Sequence, residues 1–209
     1  MHSASTAMTV MAALWGVWWV SWLAAAFWSD RSVDRPPASN QMLYRLLAMA
    51  GLLLLFGAYD RGGDADVRLW QSGRAVDTAM IAAAAAGFAF TWWARLHIGR
   101  LWSSSVTRKS NHQIIDTGPY GIVRHPIYSG ITLAAFATAV MRGTPLAFAG
   151  AAIMTAGWYV KARLEERFLR AQLGADRYGA YASRVPMLIP FVTLHHAHTQ
   201  RQQPGEPRP

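Results

Sequence analysis

The residues best suited to chemistry lie in one short polar stretch, Gly118–Gly130, which reads GPYGIVRHPIYSG. Arg124 and His125 precede Pro126, and proline suits the first turn of a helix because its missing N–H is not needed there. Proline also disfavours helical geometry in the residue before it. Arg124 and His125 would then stand at a helix N-terminus, where the dipole favours an anion. The pattern fits either a ligand site or a helix entry with interfacial anchors.

A second chemical feature is the adjacent pair Glu165 and Glu166, two of the three glutamates in the chain. They follow the last apolar run, at the expected edge of a membrane. One interpretation is a solvated helix on which they pair with Lys161 and Arg170 about one turn away. The other is functional, because an ionisable residue at the boundary of protein and bilayer is a candidate site residue.

Several other chemistries are excluded. Ser129 has no acidic or histidine partner at a spacing typical of a serine hydrolase, and neither G-x-G-x-x-G nor G-x-x-x-x-G-K-[ST] occurs. The chain has no cysteine, which excludes disulfides, thiolate metal sites and cysteine nucleophiles. His195, His196 and His198 resemble a metal-binding tract, but they lie in a polar tail, so we predict no metal site.

The composition indicates that these residues are positioned by membrane helices. Hydrophobic residues make up 53% of the chain and charged residues 15%, whereas a soluble domain has about 25% charged residues. Ten tryptophans lie mostly near the edges of apolar runs, as interfacial anchors do. The formal charge of +9 comes largely from arginines that flank these runs, so topology and anionic lipids explain it better than nucleic acid.

Five apolar runs predict an all-α, polytopic integral membrane protein with about five transmembrane helices. The third run is rich in small residues, Ala82–Gly87, which predicts close helix packing. The fourth and fifth runs are short and only three residues apart, which predicts a tight hairpin. A cytoplasmic helix ending near Gly174 and a short helix around Tyr178–Ser183 should follow. The runs are Ala7–Trp28, Met42–Tyr59, Val76–Ile98, Ile127–Met141 and Pro145–Val160.

The predicted organisation is a single membrane unit with a polar tail. Residues 1–75 hold the first two helices, residues 76–194 hold the other helices with their polar segments, and residues 195–209 form a disordered tail. An outside N-terminus and a cytoplasmic C-terminus place 16 of the 20 lysines and arginines on the cytoplasmic side. Both polar segments then share that side.

Two blocks of the sequence resemble one known family. GPYGIVRHPIYSG resembles the motif G-P-Y-x-x-x-R-H-P-x-Y-x-G of the isoprenylcysteine carboxyl methyltransferases and the related phospholipid methyltransferases. KARLEERFLRAQLGADRYGAYASRVPMLIP resembles the family's second block, in which a basic residue and E-E precede a glycine, two tyrosines and V-P-x-L-I-P. The blocks occur in the family's order, about forty residues apart, and the resemblance covers roughly Trp92–Phe191.

The resemblance implies an integral membrane enzyme that transfers a methyl group from S-adenosylmethionine to a lipophilic acceptor. It also implies a cofactor pocket on the cytosolic side, closed by the two blocks. By the family motifs, the catalytic residues are Arg124, Lys161 and Glu165. The residues that bind the cofactor are His112, Gln113, Ile114, Ile115, Tyr120, His125, Pro126, Tyr128, Glu165 and Glu166.

The chain departs from the family pattern at the basic residue associated with the substrate. Lys161 stands where arginine is usual, and lysine cannot make the paired hydrogen bonds by which arginine holds a carboxylate. Arg163 and Arg124 are alternative partners for such a group. The second block also has Gln172–Gly174 where the family often has a phenylalanine before the glycine.

The methyl acceptor stays open at this point. A carboxylate of a prenylated cysteine is already ionised, whereas a phospholipid amine would need a base such as Glu165, Glu166 or His125. Another lipophilic thiol or acid is a third possibility. The substrate would enter from the bilayer between the third helix and the hairpin. A non-catalytic membrane scaffold or lipid-binding protein is the alternative class.

Overall fold

A computed structural model of the chain describes residues 2–26, 38–57, 67–99 and 114–192. Within these ranges the chain forms seven helices and no strand, which confirms the all-α prediction. The helices are α1 His2–Ala26, α2 Ala38–Phe56, α3 Arg74–Ile98, α4 Pro119–Ile122, α5 Pro126–Arg142, α6 Pro145–Leu173 and α7 Ala175–Arg184.

Two of the described helices are long and apolar enough to cross a membrane. They are Thr6–Ala25, within α1, and Arg74–Ile98, which is the whole of α3. A shorter apolar stretch, Gln41–Phe56, forms most of α2. These helices support the predicted membrane protein, while the number of five spans and the orientation of the termini stay predictions.

Buried tryptophans of α1 fix how this helix sits on its neighbours. Trp15 and Trp18 pack against Phe88 of α3, with ring centroids 5.0 and 5.3 Å apart. The Trp15 indole N–H donates to the Thr138 hydroxyl at 3.0 Å, and that of Trp18 donates to the Thr91 hydroxyl at 2.7 Å. Because a buried indole N–H needs an acceptor, these two bonds set the rotation of α1 against α3 and α5.

Helices α3 and α5 cross with their backbones in contact. A Cβ built on Gly87 would lie 2.5 Å from the Gly130 carbonyl oxygen, and a Cβ on Gly130 would overlap the Gly87 carbonyl oxygen. Small residues at a helix crossing permit this approach, so the close packing predicted for the small-residue run is confirmed. The crossing also explains the last glycine of GPYGIVRHPIYSG as a packing residue.

Replacing Gly130 with alanine should destabilise the protein by about 1–3 kcal/mol, because the new methyl group meets rigid backbone and the helices must separate. Gly16→Ala in α1 is the matched control, since nothing lies within 4 Å of a Cβ at Gly16. At Gly16 the better helix propensity of alanine should raise the stability of the protein by as much as about 1 kcal/mol. Thermal unfolding in detergent measures both effects, and equal midpoints for the two variants would contradict the close crossing.

The predicted hairpin of α5 and α6 is confirmed, with a turn at Gly143 and Thr144. Gly143 ends α5 in the left-handed conformation, at φ 61°. Thr144 caps α6, because its hydroxyl accepts the Ala147 N–H at 3.3 Å. Pro145 then takes the first helical position, where its missing N–H costs nothing.

Residues 67–73 cover the tip of this hairpin. They donate three hydrogen bonds to carbonyl groups that the end of α5 leaves unpaired. The pairs are the Leu69 N–H with Gly143 at 2.7 Å, the Trp70 indole with Val140 at 3.0 Å and the Ser72 hydroxyl with Met141 at 3.1 Å. The segment before α3 and the end of α5 are therefore held together.

Helix α6 contains both the fifth apolar run and the predicted cytoplasmic helix, which the sequence pattern suggests are separate helices. It runs without a break from the fifth apolar run through the charged stretch, because no glycine or proline occurs between Gly157 and Gly174. Gly174, at φ 89°, ends it as predicted. The short helix α7 begins at Ala175, earlier than the predicted Tyr178. Lys161 and the glutamate pair thus share one continuous helix.

Candidate active site

The turn before α5 is shaped by Gly118 and supported by the end of α3. Gly118 has φ 57°, a conformation that suits glycine, and a Cβ there would lie 2.8 Å from the His97 ring. His97 Nε2 lies 3.0 Å from Thr117 Oγ1, and the His97 ring stacks on Tyr120 with centroids 6.3 Å apart. The end of α3 therefore positions the buried Tyr120.

The two motif blocks lie side by side. Backbone and side-chain donors at the start of α5 bond to the carbonyl groups of the segment after α7. The three bonds run from the Arg124 N–H to Pro186 at 2.8 Å, from the His125 N–H to Met187 at 3.1 Å and from the Ser129 hydroxyl to Leu188 at 2.5 Å. The V-P-x-L-I-P block thus holds the R-H-P block in place.

Arg124 is the main link between α6, α7 and the turn before α5. Its Nε donates to Glu166 Oε1 at 2.7 Å, and the side chains of this ion pair are only 10% and 4% exposed. Its Nη1 donates to the Ala182 carbonyl at 2.8 Å and also to the Val185 carbonyl. These bonds use Nε and Nη1 and make Arg124 a supporting residue of the site, while its catalytic role stays a prediction.

His125 lies between the two glutamates. As predicted from the proline that follows, it is not helical, with φ −125° and ψ 65°, and it caps α5. Its Nδ1 lies 3.5 Å from Glu165 Oε2, and its Nε2 lies 3.4 Å from Glu166 Oε1. These distances are longer than good hydrogen bonds, so the contacts are electrostatic.

Glu165 also faces the start of α5. The Tyr128 hydroxyl donates to Glu165 Oε1 at 2.7 Å, and Lys161 Nζ lies 3.9 Å from the same oxygen. The Glu165 side chain is 21% exposed, whereas that of Glu166 is 4% exposed. Of the two carboxylates, Glu165 is therefore the one that a ligand can reach.

Three parallel rings connect this carboxylate to the interior of the helix bundle. The Tyr128 ring stacks on His125 at 5.5 Å and on Trp158 at 5.3 Å, with interplanar angles of 10° and 7°. Lys161 Nζ lies above three rings, those of Tyr44, Tyr128 and Trp158, at 5.5, 5.3 and 6.0 Å from their centroids. Such contacts stabilise a buried ammonium group.

Opposite charges in this cluster stabilise one another; the cluster consists of Arg124, His125, Lys161, Glu165 and Glu166. Burial raises the pKa of the Glu166 carboxyl, but His125 and Arg124 outweigh burial and lower this pKa to about 2. Burial likewise opposes ionisation of Glu165, yet His125 and Lys161 hold its pKa below the usual value. Burial lowers the pKa of His125, but the two carboxylates more than offset it and raise this pKa. The cluster thus favours two carboxylates and a protonated imidazole.

Stability should fall in acid because of Glu166. Its pKa is about 2 in the folded protein and about 4.3 in an unfolded chain. The stability that the ionised Glu166 contributes to the fold is therefore fully present above about pH 4.3 and is lost as the pH falls towards 2. We expect Glu166→Gln to flatten this part of the curve of unfolding midpoint against pH. An unchanged acid slope in that variant would contradict the assignment. The pH dependence due to His125 has the opposite sign. Because its pKa is raised in the folded protein, the stability that its protonated ring contributes is lost as the pH rises through that pKa.

The structure brings most of the predicted site residues to one place. Ile114 and Ile115 are half-buried, and Ile114 packs against the cluster of Tyr178, Tyr181 and Val185. Pro126 is buried at the start of α5. His112 and Gln113 lie outside the described residues. The solvated interpretation is wrong for Glu166, which is buried and forms its ion pair with Arg124, whereas the pairing that it predicts between Lys161 and Glu165 is present.

Sequence reasoning missed the aromatic residues around Lys161. Trp158 precedes Lys161 by three positions on α6, a helical spacing that could have indicated it. Tyr44 lies on α2 and offers no such signal. Tyr181 was also missed, and its hydroxyl donates to the Tyr120 carbonyl at 2.8 Å, which ties α7 to α4. These contacts join parts of the chain that are far apart in sequence.

Comparison with known proteins matches residues 80–171 to the isoprenylcysteine carboxyl methyltransferase family. Protein-S-isoprenylcysteine O-methyltransferase B of Arabidopsis thaliana is 35% identical over 88 residues, which are 42% of this chain and 44% of that protein. Methanethiol S-methyltransferase 2 of Bradyrhizobium diazoefficiens is 42% identical over 92 residues, or 43% and 34% of the two chains. A probable protein-S-isoprenylcysteine O-methyltransferase of Oryza sativa subsp. indica is 30% identical over 112 residues, or 54% and 53%.

These similarities support the predicted class, a methyltransferase. The model of the isoprenylcysteine carboxyl methyltransferase family matches residues 80–171, which supports the family recognised from the two motif blocks. The chain spans about a third to a half of the length of the three relatives. The matched segment runs from α3 into α6 and contains the whole GPYGIVRHPIYSG block with Lys161, Glu165 and Glu166. Helices α1, α2 and α7 lie outside it.

Proposed function

We propose that the protein is an S-adenosylmethionine-dependent methyltransferase that acts at the membrane on a lipophilic acceptor. The observation that carries this proposal is the cluster of Glu165, Glu166, His125 and Tyr128 where the two motif blocks meet. The family match and the names of the relatives support the same class. We assign residues 76–194 to the catalytic core and residues 1–75 to N-terminal membrane helices, with a separate tail at 195–209.

The residues of the cluster fit this cofactor, which is a sulfonium cation with an amino acid end and an adenosine end. Glu165 offers a partly accessible carboxylate to a positive group, and the Tyr128 hydroxyl holds this carboxylate in place. His125 Nε2 is buried and has no hydrogen-bond partner among the described residues, so a ligand atom could supply one. Glu165, His125, Tyr120 and Tyr128 would hold the cofactor, together with the half-buried Ile114–Ile115.

S-adenosylmethionine supplies a methyl group that is transferred by in-line displacement, with the bonding electron pair retained by its sulfur. The chain contributes by positioning the methyl donor and the acceptor and by excluding water, and both effects accelerate such a reaction. The ion pair of Arg124 and Glu166 holds the turn before α5 against α6. His125 and Tyr128 orient Glu165. No base is needed for an ionised acceptor, whereas an amine would require one.

The proposed setting is the cytoplasmic face of a multi-pass membrane protein with an outside N-terminus. The flanking lysines and arginines support this orientation. It puts both motif blocks in contact with the cytosol and with lipids at once. A lipophilic or lipidated acceptor could then reach the cluster from the bilayer.

Calorimetric titration of the detergent-purified chain with S-adenosylmethionine and with its demethylated product tests the proposal. We expect both to bind, and we expect labelled methyl groups to appear in lipophilic products of a membrane extract. Absence of binding at millimolar ligand would overturn the proposal. Binding without any transfer would instead favour a non-catalytic membrane protein, and labelled phospholipid amines would favour the phospholipid N-methyltransferase alternative.

A further inference from the structure

One stripe of exposed residues runs along a single face of α6. Its members recur every three or four positions, which is the spacing that keeps side chains on one face of a helix. The stripe begins with small apolar residues, passes one tyrosine and ends with three arginines. In order along the helix, its residues are Ala152, Ala156, Tyr159, Arg163, Arg167 and Arg170.

The three arginines, Arg163, Arg167 and Arg170, are called the arginine stripe. All three side chains are exposed. Among the described residues, none of the ion pairs involves these arginines. The Arg170 guanidinium lies above the Tyr178 ring, 5.5 Å from its centroid, a contact that leaves its charge available. The arginine stripe is therefore a surface of positive charge that the described part of the fold does not neutralise.

The acidic residues between these arginines face elsewhere. At 3.6 residues per turn, Glu165 is rotated by about 160–200° from Arg163 and Arg167 around the helix axis. Glu166 is held by Arg124 at 2.7 Å and is buried. The two faces of this part of α6 thus have different tasks, because one carries the glutamate pair and the other carries the arginine stripe.

The order of residue types along this face matches the layers of a membrane leaflet. The alanines suit hydrocarbon, and Tyr159, which is 47% exposed, is of a type enriched where hydrocarbon meets headgroups. At 1.5 Å per residue, Arg163, Arg167 and Arg170 lie about 6, 12 and 17 Å beyond Tyr159 along the axis. The headgroup layer is roughly 5–8 Å thick, and ionic attraction extends about 8 Å further at physiological salt. Long arginine side chains can bend back towards this layer.

We propose that the arginine stripe binds the headgroups of anionic phospholipids in the cytoplasmic leaflet. The proposal rests on the membrane setting proposed above and not on methyl transfer. A guanidinium meets two phosphate oxygens with two parallel hydrogen bonds. Each basic residue near an anionic membrane surface strengthens binding about fivefold. Three such residues on one face would select anionic over neutral lipid.

Lipid bound at the arginine stripe would also fix the level of the candidate active site. Arg163 precedes the glutamate pair on α6, and Arg167 follows it. Phosphates bound on this face would hold Glu165, on the opposite face, at a constant depth relative to the leaflet. The charge of the membrane and the position of the site are then linked through one continuous helix.

Energy transfer to labelled lipids tests the arginine stripe in the full-length chain, reconstituted in phosphatidylcholine vesicles. The chain has no cysteine, so Ala171→Cys, an exposed position next to Arg170, can carry the donor. Trace phosphatidylglycerol or phosphatidylcholine carries the acceptor on an acyl chain. We expect the anionic lipid to be enriched at the donor at least about tenfold over the neutral lipid. The enrichment should fall towards unity in salt of about 1 M, where charges are screened beyond about 3 Å. Equal transfer to both lipids would overturn the proposal.

Two matched double variants test the location. Arg163→Gln with Arg167→Gln removes two charges from the arginine stripe, and Arg177→Gln with Arg184→Gln removes two exposed charges from α7. We expect the first pair to reduce the enrichment at least about fivefold and the second pair to retain it. Both should unfold in detergent near the midpoint of the unmodified protein, because all four side chains are exposed. Equal losses in the two pairs would reveal a diffuse charge effect and would contradict the arginine stripe.

A soluble acidic polymer distinguishes a lipid from an acidic protein as the partner. Polyglutamate should bind the detergent-purified chain weakly, and it should not abolish the lipid enrichment in vesicles at physiological salt. Tight binding of polyglutamate that requires Arg163 and Arg167, without a lipid preference, would overturn the proposal in favour of a protein partner. Lipid enrichment without S-adenosylmethionine binding would overturn the proposed function alone.

Discussion

Replacing Arg124 with alanine is expected to destabilise the protein by about 3–5 kcal/mol, the cost of leaving one partner of a buried ion pair uncompensated. The Glu166 carboxylate would lose its 2.7 Å contact, and it is too buried to be hydrated instead. The carbonyl groups of Ala182 and Val185 would lose their donor in the same step. Denaturant unfolding in detergent, followed by circular dichroism, measures the change.

Two further variants separate the ion pair from the carbonyl bonds. Arg124→Lys keeps the charge but cannot serve Glu166 and two carbonyl groups in the same plane, so we expect an intermediate loss. Glu166→Gln combined with Arg124→Ala removes the uncompensated charge and should recover part of the stability. If Arg124→Ala unfolds at the same midpoint as the unmodified protein, the assigned supporting role of Arg124 is wrong.

Glu165→Gln is expected to weaken S-adenosylmethionine binding by about tenfold to a hundredfold with little change in the unfolding midpoint. The reason is that a contact with a charged group is worth about 1.5–3 kcal/mol, and each 1.4 kcal/mol is a factor of ten in affinity. Glu165 is the more accessible of the two carboxylates, so we expect its loss to reduce the affinity for the cofactor more than the stability of the fold. His125→Ala should weaken binding similarly. Calorimetry measures both.

Asp176→Asn on α7 is the matched control for this experiment. It makes the same kind of change, carboxylate to amide, on an exposed residue. We expect its cofactor affinity and stability to stay at the values of the unmodified protein. Unchanged affinity in both Glu165→Gln and His125→Ala would refute the assignment of the site, whereas an equal loss in Asp176→Asn would indicate a general charge effect.

The sequence was most informative where structure is decided locally. Pro126 predicts both the start of α5 and the non-helical geometry of His125, because backbone geometry there depends on neighbouring residues alone. The gap of three residues between the fourth and fifth apolar runs predicts the hairpin turn. The continuity of α6 was harder to predict. The change from apolar to charged residues after Val160 indicates a change of surroundings, but the backbone remains helical through it.

The partners within the site could not be predicted from spacing. Glu166 pairs with Arg124 across 42 positions, and Tyr128 bonds to Glu165 across 37. Only the packing of α5 on α6 determines these distances. The role of Tyr44 depends on a helix that shares no motif with the rest of the site. The resemblance to a family identified Glu165 and His125, and the structure added the rings that surround Lys161.

The segment that caps the hairpin has a consequence for how the protein sits in lipid. At 1.5 Å per residue, the 17 residues of α5 extend about 26 Å and the 25 residues of α3 about 38 Å, while the hydrocarbon layer is about 30 Å thick. Thirteen residues separate Gly87 from Arg74 at the start of α3, and thirteen separate Gly130 from Gly143 at the end of α5. Because Gly87 and Gly130 are in contact, the two helices reach the same level on the side of the hairpin turn. Leu69, Trp70 and Ser72 supply donors to the carbonyl groups at this end of α5, so these groups need no water even where lipid surrounds them.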